Sequence, residues 1–124
     1  MPHCIFEYSA NIVEEPDWKT LLREIHDVLM ATGEFTSHDI KSRVVRHDRF
    51  LVGDGSADRA FVTLTIQILD GRSDATKRAI SDAALERLVA AFHSTREAKF
   101  LSVTVQMCDI HRASYGKTVG SPGE

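Results

Sequence analysis

Cysteine is scarce in this chain of 124 residues: Cys4 and Cys108 are the two it has. Two thiols make no disulfide framework, and they read as reduced, buried side chains of a cytoplasmic protein. The first residues do not follow the basic, apolar and small-residue order of a secretory leader. No apolar run approaches the roughly 20 residues that cross a bilayer. The 6 histidines are scattered, without His-x-x-x-His or Cys-x-x-Cys spacing, so no metal is expected. A basic excess is missing too. With 15 Lys and Arg against 18 Asp and Glu, the net charge of −3 argues against a general nucleic-acid binder. What remains, 43% apolar and 27% charged, suits one globular domain.

The chain reads as strand–helix–strand, twice. Pro2 to Tyr8 is short and β-favouring (Cys4, Ile5, Phe6, Tyr8). Glu14, Glu15, Pro16 and Asp17 then signal a helix start, since proline suits the first turn and acids suit the positive end of the dipole. Trp18, Leu21, Leu22, Ile25 and Leu29 fall on one helical face, and Gly33 is a natural stop. Ile40 to Val52, β-branched and basic, predicts a long strand broken by Gly53-Asp54-Gly55. Ala60 to Ile68 alternates, with Val62, Leu64, Ile66 and Ile68 on one side and Thr63, Thr65 and Gln67 on the other. Gly71-Arg72-Ser73 opens a second helix with Ser73 as N-cap, and its buried stripe is Ile80, Ala84, Leu85, Leu88 and Phe92. Leu101, Val103, Val105 and Met107 alternate in a last strand, and the Gly- and Ser-rich tail from Ser114 is irregular.

The fold class is therefore α/β (α+β): two β-α-β units, 1–57 and 58–112, form a four-stranded sheet with two helices on one face, followed by a tail, 113–124. All of 1–124 is one domain. The other sheet face has no helix to cover it, so assembly with other copies is expected.

Three places carry chemistry. Pro2 follows Met1 directly, and a small second residue permits removal of the initiator methionine, leaving a free secondary amine. An α-amino group titrates near 7.7–8.0, and nearby cations or an apolar pocket lower it, giving a neutral base at physiological pH. Arg72 stands at a predicted helix start, where free N–H groups and the dipole favour an anion. Strand alternation puts Lys41 and Arg43 on one face, with Arg46 opposite and Arg49 back on theirs.

Pro2-His3, Asn11-Ile12, Glu14-Glu15, Ala31-Thr32-Gly33, Ile40-Lys41-Ser42-Arg43-Val44, Ala60-Phe61-Val62 and Gly71-Arg72-Ser73 together resemble the 5-carboxymethyl-2-hydroxymuconate Δ-isomerase family. That family belongs to the tautomerase superfamily, with 4-oxalocrotonate tautomerase. The resemblance runs from Pro2 to about Ile110. It implies a trimer with sheets turned inward, no cofactor, and a polycarboxylate substrate. It also implies that Pro2 and Arg72 are catalytic, with Lys41 and Arg43 binding substrate. The implied reaction converts 5-carboxymethyl-2-hydroxymuconate to 5-carboxymethyl-2-oxo-hex-3-ene-1,6-dioate in homoprotocatechuate breakdown. Lys41 departs from the family's Arg-Ser-Arg run; lysine keeps the charge but loses the planar two-point grip on a carboxylate.

Two other readings stay open at this level. One is a tautomerase of another enol or dicarboxylate. The other is a non-catalytic small-molecule-binding oligomer, whose properties would not depend on a free Pro2 amine. A ferredoxin-like RNA module shares the element order, but Thr63, Thr65, Ser102 and Thr104 offer little base stacking.

Overall fold

The computed structural model describes residues 1–123; Glu124, the last residue of the expected tail, lies outside them. Four strands, β1 (His3–Ser9), β2 (Lys41–His47), β3 (Arg59–Leu69) and β4 (Phe100–Ile110), form one sheet in the order β2-β1-β3-β4. β1 runs parallel to β2, and β3 runs parallel to β4. The two central strands, β1 and β3, pair antiparallel with His3 opposite Gln67. Helices α1 (Trp18–Met30) and α2 (Asp74–Ala91) connect the parallel pairs. This is the expected two-unit α+β architecture, with a further short helix, α3 (His93–Ala98), ahead of β4.

Local chemistry accounts for the helix ends. Asp17 caps α1, its carboxylate accepting from the Thr20 N–H at 3.3 Å, and Ser73 caps α2 from Thr76 at 3.1 Å. Gly33 follows α1 at φ 77°, a left-handed backbone that suits glycine. Glu14 does not serve α1. Its carboxylate accepts from the Thr95 N–H at 2.9 Å and from the Thr95 hydroxyl, tying the segment before α1 to the first turn of α3.

The core lies between the helices and one sheet face. Cys4 and Phe6 of β1, Val62, Leu64, Ile66 and Ile68 of β3, Leu21, Ile25 and Leu29 of α1, and Ile80, Ala84, Leu88 and Phe92 all fall below 9% exposure. Leu64 sits at the middle of this layer with no exposed surface. Leu64→Ala is expected to lower unfolding stability by about 2–5 kcal/mol, measured as a lower urea midpoint with an unchanged slope.

Two expectations need correction. β2 ends at His47, not Val52. Its neighbour in the sheet, β1, ends at Ser9, and the Ala10 N–H to His47 C=O bond (2.9 Å) closes the ladder. Beyond it Leu51 is 78% exposed, and Arg49 lies outside the strand. Leu85 is not in the buried stripe of α2; it is exposed, because the buried positions step by four from Ile80 through Ala84 to Leu88 and Leu85 falls one residue round the helix.

The second sheet face carries Ile5, Glu7, Arg43, Val45, His47, Phe61, Thr63, Thr65, Gln106 and Thr104, and among the described residues no helix lies over it. Glu7 and His47 meet across β1 and β2 at 3.0 Å, and the Thr104 hydroxyl donates to that of Thr63 at 3.1 Å.

Candidate active site

Topology gathers the candidate residues at one end of the sheet. β1 and β2 both begin there, β3 and β4 both end there, and α2 must start there to run back toward the start of β4. Pro2, Lys41 and Arg72 therefore converge without being close in sequence.

Pro2 is fully buried at the head of β1, and its carbonyl accepts from the Lys41 N–H at 3.0 Å. The chain's amino group, on Met1 before processing, is held below the ordinary α-amino range. Burial is the largest cause, and the positive charges of Arg72, Lys117 and Lys41 act in the same direction while Asp39 pulls back. The environment at the start of the chain thus favours a neutral amine.

Gly71, at φ 108°, turns the chain from β3 into α2 and brings Arg72 to this end just before the cap. The Arg72 guanidinium lies over the Phe35 ring, 4.7 Å from its centroid. Its Nη1 donates to the Leu69 carbonyl at 3.2 Å and its Nε approaches the Glu34 carboxylate at 3.5 Å. The side chain is only 17% exposed, so it is held in place rather than solvated.

Lys41 and Arg43 share the open sheet face, as alternation predicts, but their charges go different ways. The Lys41 ammonium turns back to donate to the Asp39 carbonyl at 2.8 Å. The Arg43 guanidinium lies 3.4 Å from Nδ1 of His3, whose Nε2 is 2.9 Å from the Tyr115 hydroxyl. These three residues, with Gln67, Cys108, Asp109 and Ile110, line a cleft of about 310 Å³. The His3 ring is held below its ordinary pKa by burial first, then by Arg43, Lys41, the chain amine and Lys117. Arg46 faces away, as expected, beside Tyr8 and Trp18. A larger groove of about 570 Å³ runs between α1 and α2 and contains none of the candidate residues.

Sequence reasoning missed Glu34, Phe35, Asp39, Tyr115 and Lys117. The last two belong to the tail, whose described residues, through Gly123, are irregular as expected beyond a 3₁₀ turn at Arg112–Ser114, yet return to the head of β1. Nothing in the tail's own pattern marks it. The one available signal is topological: the last strand ends where the first begins.

Residues 2–119 match the family model described as 5-carboxymethyl-2-hydroxymuconate isomerase. The chain belongs to the 5-carboxymethyl-2-hydroxymuconate isomerase family. It is 33% identical over 111 residues to the 5-carboxymethyl-2-hydroxymuconate Delta-isomerase of Escherichia coli, covering 90% of this chain and 88% of that one. A crystal structure of a 5-carboxymethyl-2-hydroxymuconate isomerase from Deinococcus radiodurans R1 superposes with a TM-score of 0.87 at 28% identity, covering 96% of this chain and 90% of that chain. The fold extends further, to a structure titled "Q0 fused 4-OT wild type symmetric trimer", at a TM-score of 0.73 and 17% identity over 96% of this chain and 94% of that one. Pro2 to Val119, the family-matched span, includes every candidate residue and the tail's Tyr115 and Lys117.

Proposed function

We propose that this chain is an isomerase that converts 5-carboxymethyl-2-hydroxymuconate to 5-carboxymethyl-2-oxo-hex-3-ene-1,6-dioate, with the Pro2 amine as base. Family membership supports the reaction class. The observation that carries the base assignment is the buried chain start, whose surroundings lower an amine's proton affinity, beside the anchored guanidinium of Arg72.

The neutral Pro2 nitrogen takes the proton from the 2-hydroxyl. The oxygen's electron pair forms the C2=O double bond, the C2=C3 pair moves to C3=C4, and the C4=C5 pair accepts the proton at C5. No atom is gained or lost. Arg72 holds the negative oxygen or its adjacent carboxylate. Lys41 and Arg43 bind the other carboxylates, Lys41 as a point charge and Arg43 as a planar fork. Purified protein whose mass confirms loss of Met1 is expected to isomerise 5-carboxymethyl-2-hydroxymuconate rapidly, followed by the change in its ultraviolet absorbance. A correctly processed, folded protein without turnover on this compound would overturn the substrate assignment.

The working unit in this reading is a homotrimer of single-domain chains, each built from 1–57 and 58–112, with open sheet faces turned inward. It acts on a small polycarboxylate in the cytoplasm, independently of nucleic acid and membrane. The uncovered face with Ile5, Val45 and Phe61 supports assembly, and among the described residues no helix is long and apolar enough to cross a membrane. Ile5→Glu, placing a charge at the centre of that face, is expected to dissociate the assembly to monomers in analytical ultracentrifugation. An unchanged sedimentation coefficient would remove this face from the interface.

A further inference from the structure

We propose that Lys117, carried by the segment after β4, binds a substrate carboxylate in the space that Met1 leaves when it is removed. The inference rests on the functional reading above and extends its site.

The segment is fastened on both sides of that space. Arg112 donates from its backbone N–H to the Asp70 carboxylate at 3.3 Å and from Nη2 to the Asp70 carbonyl at 2.9 Å, which fixes the turn to the end of β3. Three residues on, the Tyr115 hydroxyl meets Nε2 of His3 at 2.9 Å, which fixes it to the start of β1. Lys117 follows within reach of the chain terminus. Its Nζ lies 2.6 Å from Sδ of Met1 and 3.1 Å from a carboxylate oxygen of Asp39, with 27% of the side chain exposed.

A thioether is a weak acceptor and a poor partner for an ammonium. Removing Met1 therefore opens one side of Lys117 onto the volume next to the newly formed Pro2 amine. Whatever enters that volume takes the place of the methionine side chain and meets the same ammonium. A hexadienedioate bearing a carboxymethyl arm carries three carboxylates. Arg72 supplies one fork, already engaged by Glu34, and Arg43 a second, beside His3. Lys41, the cation left for the third carboxylate, offers no fork and is drawn to the Asp39 carbonyl, so Lys117 shares that carboxylate with it. Lys117 is the additional cation at the chain start, beside Arg72 and Lys41. Asp39 holds it at the mouth, its other oxygen accepting from the Thr36 hydroxyl at 2.9 Å, and yields it to an incoming carboxylate.

The test separates carboxylate binding from mere fastening of the tail. Lys117→Met keeps an unbranched side chain, one atom shorter, and removes the charge. It is expected to raise KM by about 10- to 100-fold with a smaller change in kcat, the loss typical of a charge-assisted hydrogen bond. Lys117→Arg should restore most of the affinity. Asp39→Asn weakens the fastening but keeps the ammonium, so its KM should be no higher than that of the unaltered protein. Equal KM increases in Lys117→Met and Asp39→Asn would assign Lys117 to fastening alone, and an unchanged KM in Lys117→Met would overturn the proposal outright. Calorimetric binding of propane-1,2,3-tricarboxylate, an inert tricarboxylate, reads the same variants without turnover. Weaker binding by Lys117→Met alone supports the proposal even if the muconate is not isomerised, and that second result would fall on the substrate assignment instead.

Discussion

Protein carrying an uncleaved residue ahead of Pro2 is expected to isomerise its substrate about 10²–10⁴-fold more slowly than the processed chain, the range supplied by a positioned acid–base group. The reason is covalent. With Met1 or any extension attached, the proline nitrogen is an amide with its lone pair delocalised, and the free amine is displaced from the position that Pro2 holds at the head of β1. Pro2→Ala keeps an amine but loses the ring that fixes its direction, and a fall of about 10²-fold is expected. Circular dichroism should show both proteins folded, because the Pro2 carbonyl bond to Lys41 uses an atom that every residue has. The pH profile provides a separate check. The base works unprotonated, so the rate rises as pH rises through the amine pKa. The amine of Met1, which precedes Pro2 in the unprocessed chain, is held low by burial and by the charges of Arg72, Lys117 and Lys41, with Asp39 opposing, and the Pro2 amine is expected to inherit these surroundings. The acid limb should therefore have its midpoint below the ordinary α-amino range of about 7.7–8.0. Full activity in a mass-verified extended chain would remove Pro2 from the mechanism.

Arg72→Ala is the second large effect, with an expected loss of about 10²–10³-fold in kcat/KM, typical when one preorganised electrostatic contact is deleted. Its anchoring explains why so much rests on one side chain. Phe35, Leu69 and Glu34 hold the guanidinium before substrate arrives, so little reorganisation is needed. Arg72→Lys keeps the charge without the planar fork and should recover only part of the loss. Glu34→Gln provides the control, since it removes a half-exposed charge partner while the Phe35 and Leu69 contacts still hold the guanidinium, and it should leave the rate within about threefold. Unchanged kinetics in Arg72→Ala, with the variant melting as a folded protein, would place Arg72 outside the site.

Much of this fold is readable from side-chain periodicity. The alternation of β3 identifies Val62, Leu64, Ile66 and Ile68 as core, and the structure buries all four. Ser73 is recognisable as a cap from its type and place. Periodicity fails where tertiary partners decide. Val52 belongs to a β-favouring run, but a strand extends only while its neighbour does, and β1 stops at Ser9. Likewise Leu85 is apolar and helical, yet a single step around α2 turns it to solvent. The site divides in the same manner. Pro2 and Arg72 can be picked out by their chemistry, because a proline after the initiator and an arginine before a helix cap each have a use. Lys117 cannot: no spacing marks it, and only the folded chain brings residue 117 back to residue 1.

The antiparallel meeting of β1 and β3 gives the two halves an approximate internal two-fold relation, in which Ser73 ahead of α2 corresponds to Asp17 ahead of α1. Arg72 then has Pro16 as its counterpart, a residue with no charge to offer an anion. Near the start of β3, where the counterpart of the chain start falls, the backbone simply continues. Duplicating the scaffold does not duplicate the amino group, because a polypeptide has a single amino terminus. With Pro2 as the proposed base, the stoichiometry follows from that alone: one working end per chain, with the symmetry-related end free to diverge as structure.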